Sequence, residues 1–97
     1  MFIVLITYKV PLTIIDQHLA AHRDHLKQCY AKQQLLASGP QNPRTGGVLI
    51  SPLTVRAEIE TLIAQDPFHR NNLADYQIIE FSPVLHDPQF APFCRTT

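Results

Sequence analysis

The spacing of apolar and polar residues predicts four strands and two long helical segments. The run from Phe2 to Tyr8 is apolar on both alternating faces, which is typical of a strand that is covered on both sides. A helical pattern opens at Pro11-Leu12-Thr13 and continues to about Gln34. Its apolar stripe consists of Ile15, Leu19, His22, Leu26, Cys29 and Tyr30.

Glycine and proline separate the remaining elements. Strands are predicted at 35–38 and 47–50, on either side of a loop over 39–47 that holds two prolines and all three glycines. Thr54 is expected to cap a second helix, which Asp66-Pro67 ends. A strand at 76–81 precedes a tail whose prolines exclude a central strand. The order β-α-β-β-α-β predicts an α+β fold with ferredoxin-like topology and both helices on one face of the sheet.

The second face of that sheet is left bare, and the first strand is apolar on this side as well. We therefore expect a homodimer or a higher homo-oligomer. Eight basic and eight acidic side chains give a formal net charge of zero, which leaves self-association unopposed. The same balance excludes the electrostatic footprint of a nucleic-acid or anionic-membrane binder. Neither nucleic acid nor a membrane surface is therefore expected as a partner.

Location and domain organisation follow from the same pattern. The first apolar run ends at Lys9, far short of a membrane span of about 20 residues, and it lacks a basic leader and a cleavage site. Two distant cysteines do not make a disulfide scaffold. We expect a cytoplasmic protein with one domain over residues 1–83 and a proline-rich tail over 84–97 that belongs to the same unit.

The first helix carries an array of potential ligands. His18, His22, His25 and Cys29 are spaced along one side of it, a pattern that can bind zinc, although linear arrays rarely close a tetrahedral site. A metal-binding helix is therefore a weaker alternative, and we predict neither a metal nor a cofactor. His22 lies inside the apolar stripe, where a histidine is more often structural than catalytic.

Asp66 has an ordinary structural interpretation, whereas the loop around Arg44 allows two interpretations. Asp66 before a proline is an ordinary N-cap of a short helical turn over 67–70. The loop around Arg44 exceeds a tight hairpin and is stiffened by prolines, so its single cation suits an anion or carboxylate ligand. A rigid turn with Arg44 exposed explains the loop equally well.

Several motifs resemble one known family. They are Ser38-Gly39-Pro40-Gln41, Pro43-Arg44-Thr45-Gly46-Gly47-Val48, Asp66-Pro67-Phe68, and Ala74-Asp75-Tyr76 with Ile79-Glu80-Phe81. In this order and spacing they resemble the YciI-like (YCII-related) family of the dimeric α+β barrel superfamily, from about Phe2 to Pro83. The histidine of the family falls on His22, and the usual family pattern at this point resembles His-Arg-x-Phe-Leu. His25 therefore stands at a position that is often aromatic.

The resemblance implies an acid/base pair formed by His22 and Asp66. It also implies a substrate site formed by Ser38, Gly39, Pro40, Arg44 and Phe68. Such a pair suits a cofactor-independent lyase or isomerase acting on a small, aromatic or carboxylated metabolite, with Arg44 beside the developing oxyanion. The superfamily resembles muconolactone isomerases and cofactor-free monooxygenases, which supports this class by analogy. The alternative is a non-catalytic binding or accessory protein of the same fold.

Overall fold

The computed structural model describes residues 1–95, so Thr96 and Thr97 of the predicted tail lie outside the described residues. The elements are β1 (Phe2–Tyr8), α1 (Leu12–Ala31), β2 (Ala37–Pro40), β3 (Gly46–Ser51), α2 (Arg56–Ala64), a short α3 (Pro67–Arg70), β4 (Ala74–Glu80) and a 3₁₀ helix (Pro88–Phe93). Apart from α3 and the 3₁₀ helix, this is the expected order. The prediction of an α+β, ferredoxin-like fold is confirmed.

The four strands form one antiparallel sheet in the order β2-β3-β1-β4. Val4 of β1 lies between Leu49 of β3 and Ile78 of β4. Because side chains alternate along a strand, the even-numbered residues of β1 share a face with these two neighbours. The same register places Tyr8 and Tyr76 on that face, which is the face that carries the helices.

The core lies between this face and the helices. Residues of α1 and α2 pack with residues of β1 and β3 in one cluster, which includes Ile15, Leu26, Ile59, Leu62, Phe2, Val4 and Leu49. Burial of each such side chain stabilises the fold by about 1.5 to 3 kcal/mol. Among residues 1–95, the polar side chains buried with them are those of His22, Ser51 and Asp66.

The end of α1 and the position of β2 differ from the prediction. Helix α1 ends at Ala31 because Gln33 adopts a left-handed conformation, with a φ of 59°. The amide of Gln34 then donates to the carbonyl of Cys29 at 2.9 Å, a closure that usually uses glycine. Strand β2 begins at Ala37 rather than at Leu35, because Leu35 is buried in the core ahead of an exposed edge strand.

Two turn predictions are wrong. Thr54 does not cap α2: Val55 occupies the cap position in extended backbone, and no side chain caps the helix. The β2–β3 connection spans only residues 41–45, because Gly39 and Pro40 belong to β2 and Gly46 begins β3. Its length is that of an ordinary hairpin loop. Strand β4 also begins two residues before the predicted start and ends one residue before the predicted end.

Gly46 lies too close to β1 to accommodate a side chain. A Cβ at this position would lie 1.8 Å from the carbonyl oxygen of Ile6 and 3.2 Å from the Cα of Thr7. We expect Gly46→Ala to lower the free energy of unfolding by about 2 to 3 kcal/mol, because backbone atoms must move apart. Gly39→Ala is the control, since nothing lies within 4 Å of its Cβ. Urea denaturation that gave both variants the same loss would contradict this account.

The opposite face of the sheet is largely apolar, and neither α1 nor α2 covers it. Its apolar side chains are partly or largely exposed and comprise Ile3, Leu5, Val48, Ile50 and Ile79. This matches the expectation of one covered and one bare face. Within the part of the chain that the structure describes, no helix is long and apolar enough to cross a membrane.

The tail follows β4 as irregular chain and a 3₁₀ helix, as its prolines predict. Val84 and Leu85 are 84% and 92% exposed. The tail then returns to the body of the protein, where Arg95 donates to the carbonyl of Gln33 at 2.9 Å. The division into a domain over 1–83 and a tail stays a prediction.

Candidate functional site

The site begins with the short helix α3, which Asp66 caps. Asp66 has extended backbone and Pro67 is the first helical residue, so the predicted Asp-Pro cap is confirmed. The carboxylate oxygen Oδ1 accepts a hydrogen bond from the amide of Phe68 at 3.0 Å. This bond uses one lone pair of a side chain that is fully buried, with 0% exposure. The rest of the carboxylate is therefore available to other elements.

His22 contacts this carboxylate from α1. Its Nδ1 lies 2.8 Å from Oδ1 and 3.0 Å from Oδ2 of Asp66, although the two residues are 44 positions apart in sequence. Because an ionised carboxylate only accepts, Nδ1 carries the proton and a neutral imidazole keeps its lone pair on Nε2. No hydrogen bond among residues 1–95 involves Nε2, and no unpartnered side-chain nitrogen is buried there. The second nitrogen therefore faces open space.

Aromatic rings fix the orientation of the imidazole. The rings of His22 and Phe68 are stacked, with centroids 4.0 Å apart and an angle of 6° between their planes. Tyr8 of β1 meets Phe68 edge-on, with centroids 6.0 Å apart. The cap of α3 thus positions Phe68 as well as Asp66, and both hold His22 in one rotamer.

The open space beside His22 is a cavity of about 340 Å³ between α1 and the β2–β3 end of the sheet. Its apolar walls include Ile6, Leu19, Leu26, Pro40, Leu49 and Phe68. Its polar lining comprises Tyr8, His22, Arg23, Ser38 and Arg44. A cavity of this size with apolar walls and a few convergent polar groups is typical of a small-molecule site. We refer to it as the His22 cavity.

Arg44 lines the cavity but is not a lone cation. Its guanidinium donates to Oδ1 of Asp16 on α1 at 2.5 Å. The hydrogen bond from Arg44 holds the pKa of Asp16 below its usual value, and Asp16 in turn raises the pKa of Arg44. The structure therefore supports neither sequence interpretation in full, because the loop is an ordinary hairpin and Arg44 is paired. An anionic ligand would have to compete with Asp16 for the guanidinium.

Two further groups near the pair have altered acidity. Burial raises the pKa of Tyr76, and the neighbouring Asp66 carboxylate raises it further. Burial also raises the pKa of the Cys29 thiol, which lies in the core. Tyr76 therefore stays protonated and donates, and Cys29 has the properties of a structural thiol rather than a nucleophile.

The structure brings six of the seven predicted site residues to the cavity wall: His22, Ser38, Gly39, Pro40, Arg44 and Phe68. Asp66 lies behind His22 and does not reach the cavity. Sequence reasoning missed Tyr8, Arg23 and Tyr76. Arg23 is not part of the apolar stripe of α1, so the helical pattern gave no signal for it, and the signal for Tyr8 lies only in its alternation with the buried residues of β1.

The other histidines of α1 have separate partners. Nδ1 of His18 donates to the carbonyl of Ile14 at 3.1 Å, and Nε2 of His25 donates to the carbonyl of Leu62 at 2.9 Å. His25 thereby links α1 to α2. Among residues 1–95, no three or more His, Cys, Asp or Glu side chains are grouped so that they could hold a metal ion. The side chains of the predicted array do not converge on one point.

Comparison with known proteins gives a family and a fold. A family model described as YCII-related domain matches residues 1–82. No curated protein matches the chain. Among solved structures, 5-chloro-2-hydroxyhydroquinone dehydrochlorinase (TftG) from Burkholderia phenoliruptrix AC1100, in complex with 2,5-dihydroxybenzoquinone, is similar. Its sequence identity is 20% and its TM-score is 0.69, over 84% of this chain and 93% of that chain.

Proposed function

This chain belongs to the YCII-related domain family, and we propose that it is a cofactor-independent lyase or isomerase for a small aromatic or carboxylated molecule. His22 is the acid/base group, and Asp66 orients it. One observation carries the proposal: an imidazole whose Nδ1 is bound to a buried carboxylate presents Nε2 to the His22 cavity. That arrangement suits a general base, because the carboxylate fixes the tautomer and leaves the other nitrogen free to accept a proton.

The proposed step needs only a proton acceptor. The lone pair on Nε2 of His22 takes a proton from the substrate, and the electron pair of the broken bond forms the new double bond. In an elimination the leaving group departs with its own bonding electrons. In an isomerisation the imidazolium returns the proton to another atom of the same molecule. Asp66 stabilises the imidazolium in both cases, because its carboxylate lies 2.8 Å from Nδ1.

The lining of the cavity supports the proposed substrate class. Apolar walls accept a ring, while Arg44 and Arg23 supply positive charge for a carboxylate or a developing oxyanion. Ser38 is hydrogen-bonded to Tyr30 at 2.7 Å, which fixes the position of its hydroxyl at the wall. The solved relative is named for the dehydrochlorination of a hydroquinone, so halogenated hydroquinones are rational first candidates.

A panel of small molecules tests the proposal. Purified protein without added cofactor is incubated with halogenated hydroquinones, unsaturated lactones and carboxylated enols, and chloride release or isomer formation is followed by chromatography. We expect turnover of at least one class. The alternative, a non-catalytic binding protein, predicts that a member raises the melting temperature and is recovered unchanged. That outcome would contradict an enzymatic function.

We also propose that the chain forms a homodimer through the uncovered sheet face. That face carries Ile3, Leu5, Val48, Ile50 and Ile79, and water-exposed apolar area of this kind favours association. We expect light scattering to give about twice the mass of 11.0 kDa, and Leu5→Lys to give the mass of one chain. Gln28→Lys on the exposed side of α1 is the charge control, because it adds positive charge away from this face and should leave the mass of two chains. A monomeric unsubstituted protein would contradict the proposal.

A further inference from the structure

We propose that Tyr76 is a positioning residue that completes a Tyr76–Asp66–His22 network and sets the basicity of His22. This inference rests on the proposed function, because it assigns a role to a residue that acts on the acid/base group. Tyr76 does not line the His22 cavity, so it acts through Asp66 and does not touch the substrate.

Three donors bind the two oxygens of the buried Asp66 carboxylate. Tyr76 donates its phenol proton to Oδ2 of Asp66 at 2.8 Å, while the amide of Phe68 donates to Oδ1 at 3.0 Å. Nδ1 of His22 bridges both oxygens. Since donors fix each oxygen, the carboxylate cannot rotate about its own axis. The fixed carboxylate thereby determines the direction in which Nε2 of His22 points.

The geometry also predicts which protonation form of His22 the Tyr76 hydroxyl favours. A phenol that donates to Oδ2 withdraws negative charge from the side of the carboxylate that faces His22. Less charge on Asp66 means weaker stabilisation of the imidazolium, so the Tyr76 hydroxyl favours the neutral form of His22. A neutral imidazole is the form that accepts a proton from a substrate. Burial keeps Tyr76 protonated, which makes it a permanent donor.

Other titratable or charged groups around the network are few and come from several elements. They are Tyr8 from β1, Arg23 and Cys29 from α1, Arg44 from the β2–β3 loop, and His69 from α3. His69 meets the ring of Tyr76 edge-on, with centroids 5.5 Å apart. All of these groups are present in every variant, so the comparison between variants differs only in the group at position 76.

The test is an NMR titration of the His22 ring, which needs no substrate. In Tyr76→Phe we expect the midpoint of His22 protonation to rise by about half a pH unit or more relative to the unsubstituted protein. Replacement of Tyr76 by 3-fluorotyrosine, a stronger donor that keeps the hydroxyl, should shift the midpoint downward. Tyr30→Phe is the matched control, because its hydroxyl bonds to Ser38 and not to Asp66.

The outcomes separate the possible roles. Shifts of opposite sign in the Phe and 3-fluorotyrosine proteins support the positioning role. An unchanged midpoint in both, with or without a loss of stability in Tyr76→Phe, would show a merely structural tyrosine and overturn the inference. If Tyr76→Phe does not fold, the 3-fluorotyrosine protein, which keeps the hydroxyl, still provides the measurement. Failure of the small-molecule panel would remove the proposed function but leave this titration interpretable.

Discussion

Replacing His22 with glutamine is expected to lower kcat by about a thousandfold or more, while the protein stays folded. The loss follows because glutamine has no basic nitrogen to place where Nε2 of His22 faces the cavity. Folding is retained because the Phe68 amide and the Tyr76 phenol still donate to the Asp66 carboxylate, so the buried charge keeps partners. The rate is measured on the substrate that the panel identifies, and folding by circular dichroism and thermal unfolding.

His18→Gln is the matched control for that experiment. It changes the same residue type on the same helix, but its ring donates to a carbonyl of its own helix and does not line the cavity. We expect kcat within about twofold of the unsubstituted protein. If His22→Gln also retained turnover within about threefold, His22 would be a structural residue of the core.

Replacing Asp66 with alanine is the change expected to destabilise the fold most. It removes the acceptor of the Phe68 amide, the Tyr76 phenol and the His22 ring together. The Phe68 amide and the His22 ring are then buried without this partner, the partly buried Tyr76 phenol loses its acceptor, and the N-cap of α3 is lost. We expect the free energy of unfolding to fall by about 3 to 5 kcal/mol in urea denaturation.

Asp87→Ala is the control that separates the cap from the network. Asp87 also precedes a proline and caps a 3₁₀ helix, accepting from the amide of Gln89 at 2.9 Å, but it is exposed, and among residues 1–95 its carboxylate accepts no other hydrogen bond. Its loss should cost about 0.5 to 1 kcal/mol. Similar losses for Asp66→Ala and Asp87→Ala would mean that the network contributes nothing beyond a cap.

The elements with strong periodicity could be predicted from the sequence, and those set by pairing could not. Strand β1 has the predicted bounds, because an unbroken β-rich run ends at Lys9. The end of α1 depended on a left-handed Gln33, a conformation for which glutamine gives no signal. Strand β2 is fully exposed, so hydrophobicity pointed to Leu35 instead of to the residues that pair with β3.

In the candidate site, too, the local features could be predicted from the sequence and the long-range contacts could not. The apolar stripe of α1 already placed His22 inward, and the Asp-Pro step already predicted a cap at Asp66. Each local interpretation holds, yet neither contains the contact between them, because 44 residues separate the pair. The family resemblance supplied that link. Tyr76 was part of a quoted motif but had no assigned role, since only the register of β4 against β1 places it beside Asp66.

The most direct test of the account is the state of the two His22 ring nitrogens in ¹⁵N NMR at neutral pH. We expect that Nδ1 carries the proton, that Nε2 is bare, and that the signal of Nε2 alone shifts strongly when a ligand from the panel is added. A proton on Nε2, or a ring whose nitrogens do not respond to a ligand that binds, would contradict the claim that Asp66 orients His22 as the acid/base group of the cavity.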